Sequence, residues 1–228
     1  MTRKRRPTPF EPTLCALFLG LALGAGLASR ATAEEASPPA AVAPTASSPV
    51  PVIEAVHAEL LEIMKEAKTI GFQGRIEKLD PLMKRTFDLD FMASKTVGRH
   101  WATLSPADQQ RWAETFTAFT TANYAGRFTG YTGEEFITLG VEDAAQNTRL
   151  VRTKIVVPNE ETVELNYRVI ERDGVWKVID VFLDGKVSEL ALRRSEYASA
   201  LKRDGFEQLV ASVETKIADL KSRGRSDG

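Results

Sequence analysis

The architecture of this chain is predicted most clearly by residues Trp176–Val210, which read WKVIDVFLDGKVSELALRRSEYASALKRDGFEQLV. Apolar residues alternate with polar ones as far as Leu183, which is typical of a half-buried β-strand, and Asp184-Gly185 has the chemistry of a turn. From Leu190 the apolar spacing becomes helical, with an interruption at Asp204-Gly205. A strand that leads into two amphipathic helices is therefore expected.

Upstream of this stretch, the same period of two residues predicts an antiparallel meander. Pro158-Asn159 and Asp173-Gly174 are turn signals, and Asp-Gly between two alternating runs is typical of a β-hairpin. The predicted strands are Phe136–Val141, Thr148–Val157, Thr162–Glu171 and Val175–Leu183.

Before the strands, apolar residues recur every three or four positions, which indicates helices. Gly71 and Gly74 are expected to break the first helix, and Ser105, followed by Pro106, is a helix start with a capping hydroxyl. The predicted helices are Val52–Ile70, Arg75–Arg85, Asp88–Val97, one opened by Ser105, Leu190–Lys202 and Phe206–Lys221. Helices, then a meander, then helices again predict an α+β fold.

The N-terminus has the pattern of an export signal. A basic segment, Arg3–Arg6, precedes the apolar run Leu14–Ala28, and Ala31-Thr32-Ala33 supplies the small residues that a signal peptidase accepts. We expect 1–33 to be a cleaved signal peptide, with a retained membrane anchor as the alternative. The Ala/Pro/Ser-rich residues 34–51 are expected to be a disordered leader, 52–222 one folded domain, and 223–228 a polar tail.

Charge and cysteine content exclude several classes of function. Residues 1–33 hold five of the 30 basic and one of the 31 acidic residues, so the mature chain has 25 basic and 30 acidic residues, a net charge of −5. This balance disfavours nucleic acid as a partner. The one cysteine, Cys15, lies in the apolar run, so the mature chain has no thiol to act as nucleophile or metal ligand.

Few residues suggest catalysis. His57 is assigned to the polar side of the first helix and His100 to a loop, and neither has partners at metal-ligand spacing, so we expect no metal and no cofactor. The best enzymatic hypothesis uses Tyr167 and Asp180, each inside a predicted strand, because a buried carboxyl can gain a raised pKa suited to proton transfer.

Aromatic residues follow the helix that Ser105 opens and the segment after it, and apolar residues alternate along one predicted strand. Either set belongs to a filled core or lines a pocket between helix and sheet, and periodicity alone leaves both interpretations open. The candidate binding residues are Trp112, Phe116, Phe119, Tyr124, Phe128, Tyr131, Val163, Leu165, Tyr167 and Val169.

Four blocks of sequence, in order between Phe87 and Val213, resemble the MlaC/toluene-tolerance family of periplasmic lipid carriers. They are Phe87–Ala93 with Val97–Trp101; Tyr124-Ala125 with Tyr131–Glu134; Val151–Thr153, Asn166–Arg168 and Trp176–Val181; and Ser188 with Arg194–Tyr197 and Asp204-Gly205. The form LDGKVSELALRRSEY, with one more residue between Gly185 and Ser188 than the general family, and the upstream TIGFQGR look most like the hopanoid-biosynthesis-associated HpnM subgroup.

The resemblance implies an NTF2-like, curved antiparallel sheet of about four strands, packed by helices around an apolar cavity. It also implies a periplasmic shuttle that carries a phospholipid or a hopanoid and works with an inner-membrane transport complex and an outer-membrane partner. Arg99, Arg127, Arg193 and Arg194 are then candidates to meet head groups or partner acids at the cavity mouth. The alternatives are the enzyme built on Tyr167 and Asp180 and a structural envelope adaptor without lipid.

Overall fold

The computed structural model describes residues 48–226, with the side chains of residues 48–224, so the predicted signal peptide and most of the predicted leader lie outside the described part. Within residues 48–226, four α-helices and one 3₁₀ helix accompany a single five-stranded sheet. In chain order the elements are α1 (Val50–Thr86), α2 (Leu89–Val97), the 3₁₀ helix (Gly98–Thr103), α3 (Pro106–Arg127), β1 (Glu135–Ala144), β2 (Thr148–Val156), β3 (Val163–Arg172), β4 (Val175–Leu183), β5 (Val187–Ser188) and α4 (Glu189–Ser226).

The strands form one antiparallel meander in the order β1-β2-β3-β4-β5, which confirms the predicted α+β class and the four long strands. Asp173 and Gly174 join β3 to β4 with positive φ angles of 52° and 77°, as a two-residue hairpin turn requires. The register shifts leave one extra residue at Leu139 of β1 and at Ile179 of β4; such bulges bend strands and help to curve the sheet.

Helix α1 is two helical segments that meet at Gly71, whose φ of 63° and ψ of −173° lie outside the helical region. Arg85 pairs with Glu59 and Lys78 with Glu66, so the two segments lie side by side and run in opposite directions. The expectation that Gly74 also breaks the helix is wrong, because Gly74 continues the second segment. Gly71 alone makes the turn.

Helix α4 is likewise two segments, which meet at Gly205 (φ 83°, ψ 177°), and Glu196 of the first pairs with Lys216 of the second. The predicted division at Asp204-Gly205 is therefore confirmed. The helix continues to Ser226, past its predicted end at Lys221.

Asp180 of β4 fixes the point where the chain leaves the sheet and enters α4. Its buried carboxylate accepts hydrogen bonds from the hydroxyl of Ser188 (2.6 Å) and from the backbone N–H of Leu190 (3.0 Å) and Val181 (2.8 Å). The Ser188 hydroxyl in turn accepts the N–H of Ala191 at 2.9 Å, which is an N-cap bond. The two-residue strand β5, which the sequence did not predict, holds this serine beside β4.

Two apolar clusters hold the helices in place. The larger cluster joins the sheet, through residues such as Tyr167 and Val178, to α2, α3 and α4. The smaller cluster packs the two segments of α1 against each other and against α3. Beside it the buried guanidinium of Arg75 donates 2.9 Å hydrogen bonds to the carbonyls of Ala67 and Ala125, which ties both segments of α1 to α3. Within residues 48–226, no helix combines the length and apolar character that a membrane crossing needs.

We expect Gly71→Ala to lower the free energy of unfolding by about 1–3 kcal/mol, because a Cβ atom is strained at this backbone conformation. Open space surrounds the position, so a steric clash does not contribute. Urea denaturation measures the effect. Gly130→Ala is the matched control, because its backbone carries no positive φ and its nearest neighbour is the flexible Lys68 side chain. Equal effects of the two substitutions would contradict this account of the turn.

Candidate functional site

A cavity of about 30 Å³ lies between the sheet and the helices α2, α3 and α4. Its inner walls are apolar. They are formed by Phe87, Met92, Phe116, Phe119, Val181 and Leu190. This volume has room for about one water molecule.

Four lining residues are polar and partly exposed, and together they are called the mouth here: Thr120, Asn123, Glu189 and Arg193. The carboxylate of Glu189, at the start of α4, forms a 2.9 Å ion pair with the guanidinium of Arg127, at the end of α3. The mouth is therefore closed by contacts between α3 and α4, and it carries charges of both signs.

The guanidinium of Arg193 lies 4.8 Å from the ring centroid of Phe119, a cation–π contact, and donates a 3.1 Å hydrogen bond to Glu196. Only 18% of the Arg193 side chain and 17% of the Glu189 side chain are exposed. Both charges are thus partly removed from water while facing the cavity.

Tyr124 of α3 also lines the cavity. Its ring packs edge-on against Phe87, with centroids 6.1 Å apart, and lies tilted against Phe128, with centroids 5.8 Å apart. Burial raises the pKa of the Tyr124 hydroxyl above its ordinary value, and the nearby carboxylates of Glu189 and Asp180 act in the same direction. The hydroxyl therefore stays protonated and is a hydrogen-bond donor beside the mouth.

The ten candidate binding residues are only partly brought together. Phe116, Phe119 and Tyr124 line the cavity. Three others belong to the filled core rather than to the cavity wall: Trp112, Tyr167 and Val169. Leu165 and Phe128 pack against the two clusters, Val163 is half-buried, and Tyr131 is 41% exposed.

The remaining wall residues come from elements whose mutual register the sequence does not reveal. Val181 of β4, rather than the apolar face of β3, supplies the sheet side of the cavity. Arg193 was a candidate for the mouth, and the structure places it there. The sequence analysis missed Phe87, Met92, Thr120, Asn123, Val181, Glu189 and Leu190.

The assignment of His57 to the polar side of its helix is wrong. His57 is 4% exposed, its Nε2 lies 3.0 Å from the hydroxyl of Tyr167, and its ring stacks on Phe136 with centroids 4.2 Å apart. The physical reason is its spacing, four residues after Ile53 and three before Leu60, which places it on the buried stripe. Burial lowers the pKa of His57 to about 4, so the imidazole is neutral at pH 7.

Tyr167 and Asp180 do not converge on a common site. The hydroxyl of Tyr167 bonds with His57, whereas the carboxylate of Asp180 bonds with Ser188, Leu190 and Val181. Burial raises the pKa of Asp180, and those hydrogen bonds offset part of the effect. Its visible role is to hold the start of α4. Among residues 48–226, no group of three or more His, Cys, Asp or Glu side chains is arranged to hold a metal ion.

An open groove of about 1,080 Å³ lies elsewhere on the domain, bounded by α1, α3 and the β3–β4 hairpin. Trp101 and Val175 contribute apolar surface to it, and Phe87 lines both the groove and the cavity. The groove is therefore a second space with the volume and apolar surface to hold an apolar ligand. The other two basic candidates, Arg99 and Arg194, are exposed and line neither space.

Comparison with known proteins agrees with this architecture. The model of the family described as MlaC protein matches residues 54–215. The phospholipid-binding protein from Ralstonia solanacearum, solved in complex with a phospholipid, superposes with a TM-score of 0.67 at 22% sequence identity, over 75% of this chain and 97% of that one. That likeness shows a common fold. No match was found among curated protein sequences.

The buried His57 makes stability depend on pH. Its folded pKa of about 4 lies below the unfolded value of about 6.5, so its contribution is complete above pH 6.5 and is lost as the pH falls toward 4. Between pH 7.5 and pH 5 we expect the wild-type protein to lose about 2 kcal/mol of unfolding free energy through this residue. Urea denaturation at the two pH values measures the loss.

In His57→Gln this part of the pH dependence should disappear, because glutamine keeps a polar group near Tyr167 but does not titrate. His100→Gln is the control, since His100 lies in the 3₁₀ helix away from the core, and this variant should keep the wild-type dependence. A wild-type slope in His57→Gln would refute the assignment.

Proposed function

Since this chain belongs to the MlaC family, we propose that it binds a phospholipid whose acyl tails enter the cavity between the sheet and helices α2–α4. The observation that carries the proposal is a cavity with apolar walls and a charged mouth in this fold. A protein of the same fold from Ralstonia solanacearum is known in complex with a phospholipid, which supports the assignment.

The described cavity is too small for a lipid tail, so binding requires α3 and α4 to move away from the sheet. The contacts at the mouth are suited to this movement. The Arg127–Glu189 pair and the contact of Arg193 with Phe119 are each worth about 1 kcal/mol at partly exposed sites.

The opposite end of the α3–α4 interface is packed more firmly. Trp112 is fully buried, lies edge-on against Tyr197 at 5.1 Å, and donates a 3.0 Å hydrogen bond to the carbonyl of Ala93. Opening at the mouth around this fixed end admits the tails and leaves the head group outside.

The free energy of burying the lipid tails allows such a protein to exchange lipid with a membrane rather than to retain it. Each CH₂ group removed from water contributes about 0.8 kcal/mol, so a tail of about 16 carbons gains about 12 kcal/mol. The bilayer offers the same gain, and net transfer therefore depends on small differences between the cavity and the membrane. Docking on a membrane partner that opens the mouth would be enough to reverse the direction of transfer.

We extend the proposal to a periplasmic shuttle that exchanges its lipid with an inner-membrane transport complex and with an outer-membrane partner. The export pattern of residues 1–33 supports the compartment. Family membership supports the role as a transport component and argues against both the enzyme and the structural adaptor.

A finer proposal concerns the subgroup. The stretches Thr69–Arg75 and Leu183–Tyr197 look like the hopanoid-associated HpnM subgroup, for which a rigid triterpenoid is an alternative cargo. A rigid polycycle needs a wider slot than flexible tails, so it requires a larger displacement of α3 and α4. Vesicles that contain both lipid classes discriminate between them in one uptake experiment.

We expect Leu190→Trp to reduce lipid uptake at least tenfold, because the larger ring fills the space beside Val181 and Phe119 that a tail would enter. Native mass spectrometry of the protein after incubation with phospholipid vesicles measures the bound fraction. Leu192→Trp is the matched control, since Leu192 lies two residues further on the same helix and is 53% exposed. The control should bind lipid like the wild type.

Equal binding by both variants would place the lipid outside this cavity. Absence of lipid from the wild-type protein itself, both as purified and after incubation with vesicles, would overturn the proposed function.

A further inference from the structure

Two opposite charges at the mouth are held apart although they are positioned to pair. Glu189 and Arg193 lie one helical turn apart on α4, and both line the cavity. A glutamate four residues before an arginine is a favourable ion-pair spacing on a helix. Instead, Glu189 pairs with Arg127 and Arg193 with Glu196.

We propose that these two side chains bind a zwitterionic head group, and that the site selects phospholipids carrying a primary amine. Arg193 binds the phosphate and Glu189 binds the ammonium group. The inference rests on the proposed function and specifies the class of lipid that the cavity takes.

The existing partners leave both groups able to bind a ligand. A guanidinium has five N–H donors in a planar fork, of which one bonds with Glu196, and such a fork matches two phosphate oxygens. A carboxylate has two oxygens and about four acceptor positions, of which Arg127 uses one oxygen. Both groups therefore keep donor or acceptor positions for a ligand, whether the mouth is closed or has opened to admit the tails.

The spacing also fits. At 1.5 Å per residue, the four-residue spacing separates the two residues by about 6 Å along the helix axis. The phosphate and the ammonium group of an ethanolamine head are joined by a two-carbon linker, so they span a similar distance. With the tails among Phe116, Phe119 and Val181, the head reaches both side chains from the mouth.

Partial burial gives the contacts their selectivity. With under a fifth of each side chain exposed, the charges interact in a medium less polar than water. A choline head has no N–H to donate to Glu189, a glycerol head has no cation, and a neutral triterpenoid has neither charge. Each of these lipids loses at least one charge-assisted hydrogen bond that an ethanolamine lipid makes.

The test is competitive loading of the full mature chain from vesicles that contain equal amounts of phosphatidylethanolamine, phosphatidylcholine and phosphatidylglycerol with identical acyl chains. Native mass spectrometry reads the bound species. The wild-type protein should take up the ethanolamine lipid about tenfold more than either competitor, since one charge-assisted hydrogen bond corresponds to about that ratio.

Glu189→Gln should abolish this preference while total uptake persists. Arg193→Gln should lower uptake of all three phospholipids, because all three carry the phosphate. Arg203→Gln, an exposed residue paired with Asp204, is the control and should behave like the wild type.

A further variant separates recognition from loss of the closing ion pair. Arg127→Gln removes the pair but keeps the Glu189 carboxylate, so it should retain the ethanolamine preference. If Arg127→Gln and Glu189→Gln lose the preference alike, Glu189 acts only through the pair and the inference is wrong. Lipid uptake without head-group preference in the wild type overturns the inference alone, whereas no uptake of any lipid overturns the proposed function with it.

Discussion

The structure depends on a buried carboxylate at the junction of sheet and helix. Asp180 accepts hydrogen bonds from Ser188, Leu190 and Val181, and these bonds fix both the position and the direction in which α4 leaves β4. Because α4 begins at this point, Glu189 and Leu190 come to lie against the cavity, and Arg193 follows one turn later. A helix that started one residue later would turn these side chains by about 100° away from the sheet. The composition of the mouth is thus set by a capping interaction rather than by the apolar core.

The helices α3 and α4 are held together strongly in the interior of the domain and more weakly at the mouth. Around Trp112 the helices α3 and α4 are joined by apolar packing and a buried hydrogen bond, whereas at the mouth they meet through ion pairs and a cation–π contact. The small described cavity is consistent with a closed form that opens from the mouth. In our proposal Glu189 has two functions, since it closes the mouth through Arg127 and recognises the head group of the cargo.

Much of the fold could be predicted from the sequence, because period and turn chemistry are local properties. The strands around Asp173-Gly174 and the helix division at Gly205 are examples, and the MlaC family assignment is confirmed. His57 was misassigned because its polarity outweighed its position on the buried stripe of α1. The aromatic stripe of α3 contains residues of the cavity wall as well as residues of the filled core. Periodicity identifies the face that Trp112 and Phe119 share, but whether a neighbouring residue fills the space beside each ring depends on the register of α4.

The central claim is that lipid tails occupy the cavity between the sheet and α2–α4. Photo-crosslinking tests it most directly. The full mature chain is loaded with a phospholipid that carries a photoreactive group near the end of one acyl chain, irradiated, and mapped by peptide mass spectrometry. The account predicts adducts on the cavity wall, at Met92, Phe116, Phe119 or Val181. Adducts confined to Trp101 and Val175 would place the tails in the open groove and contradict it.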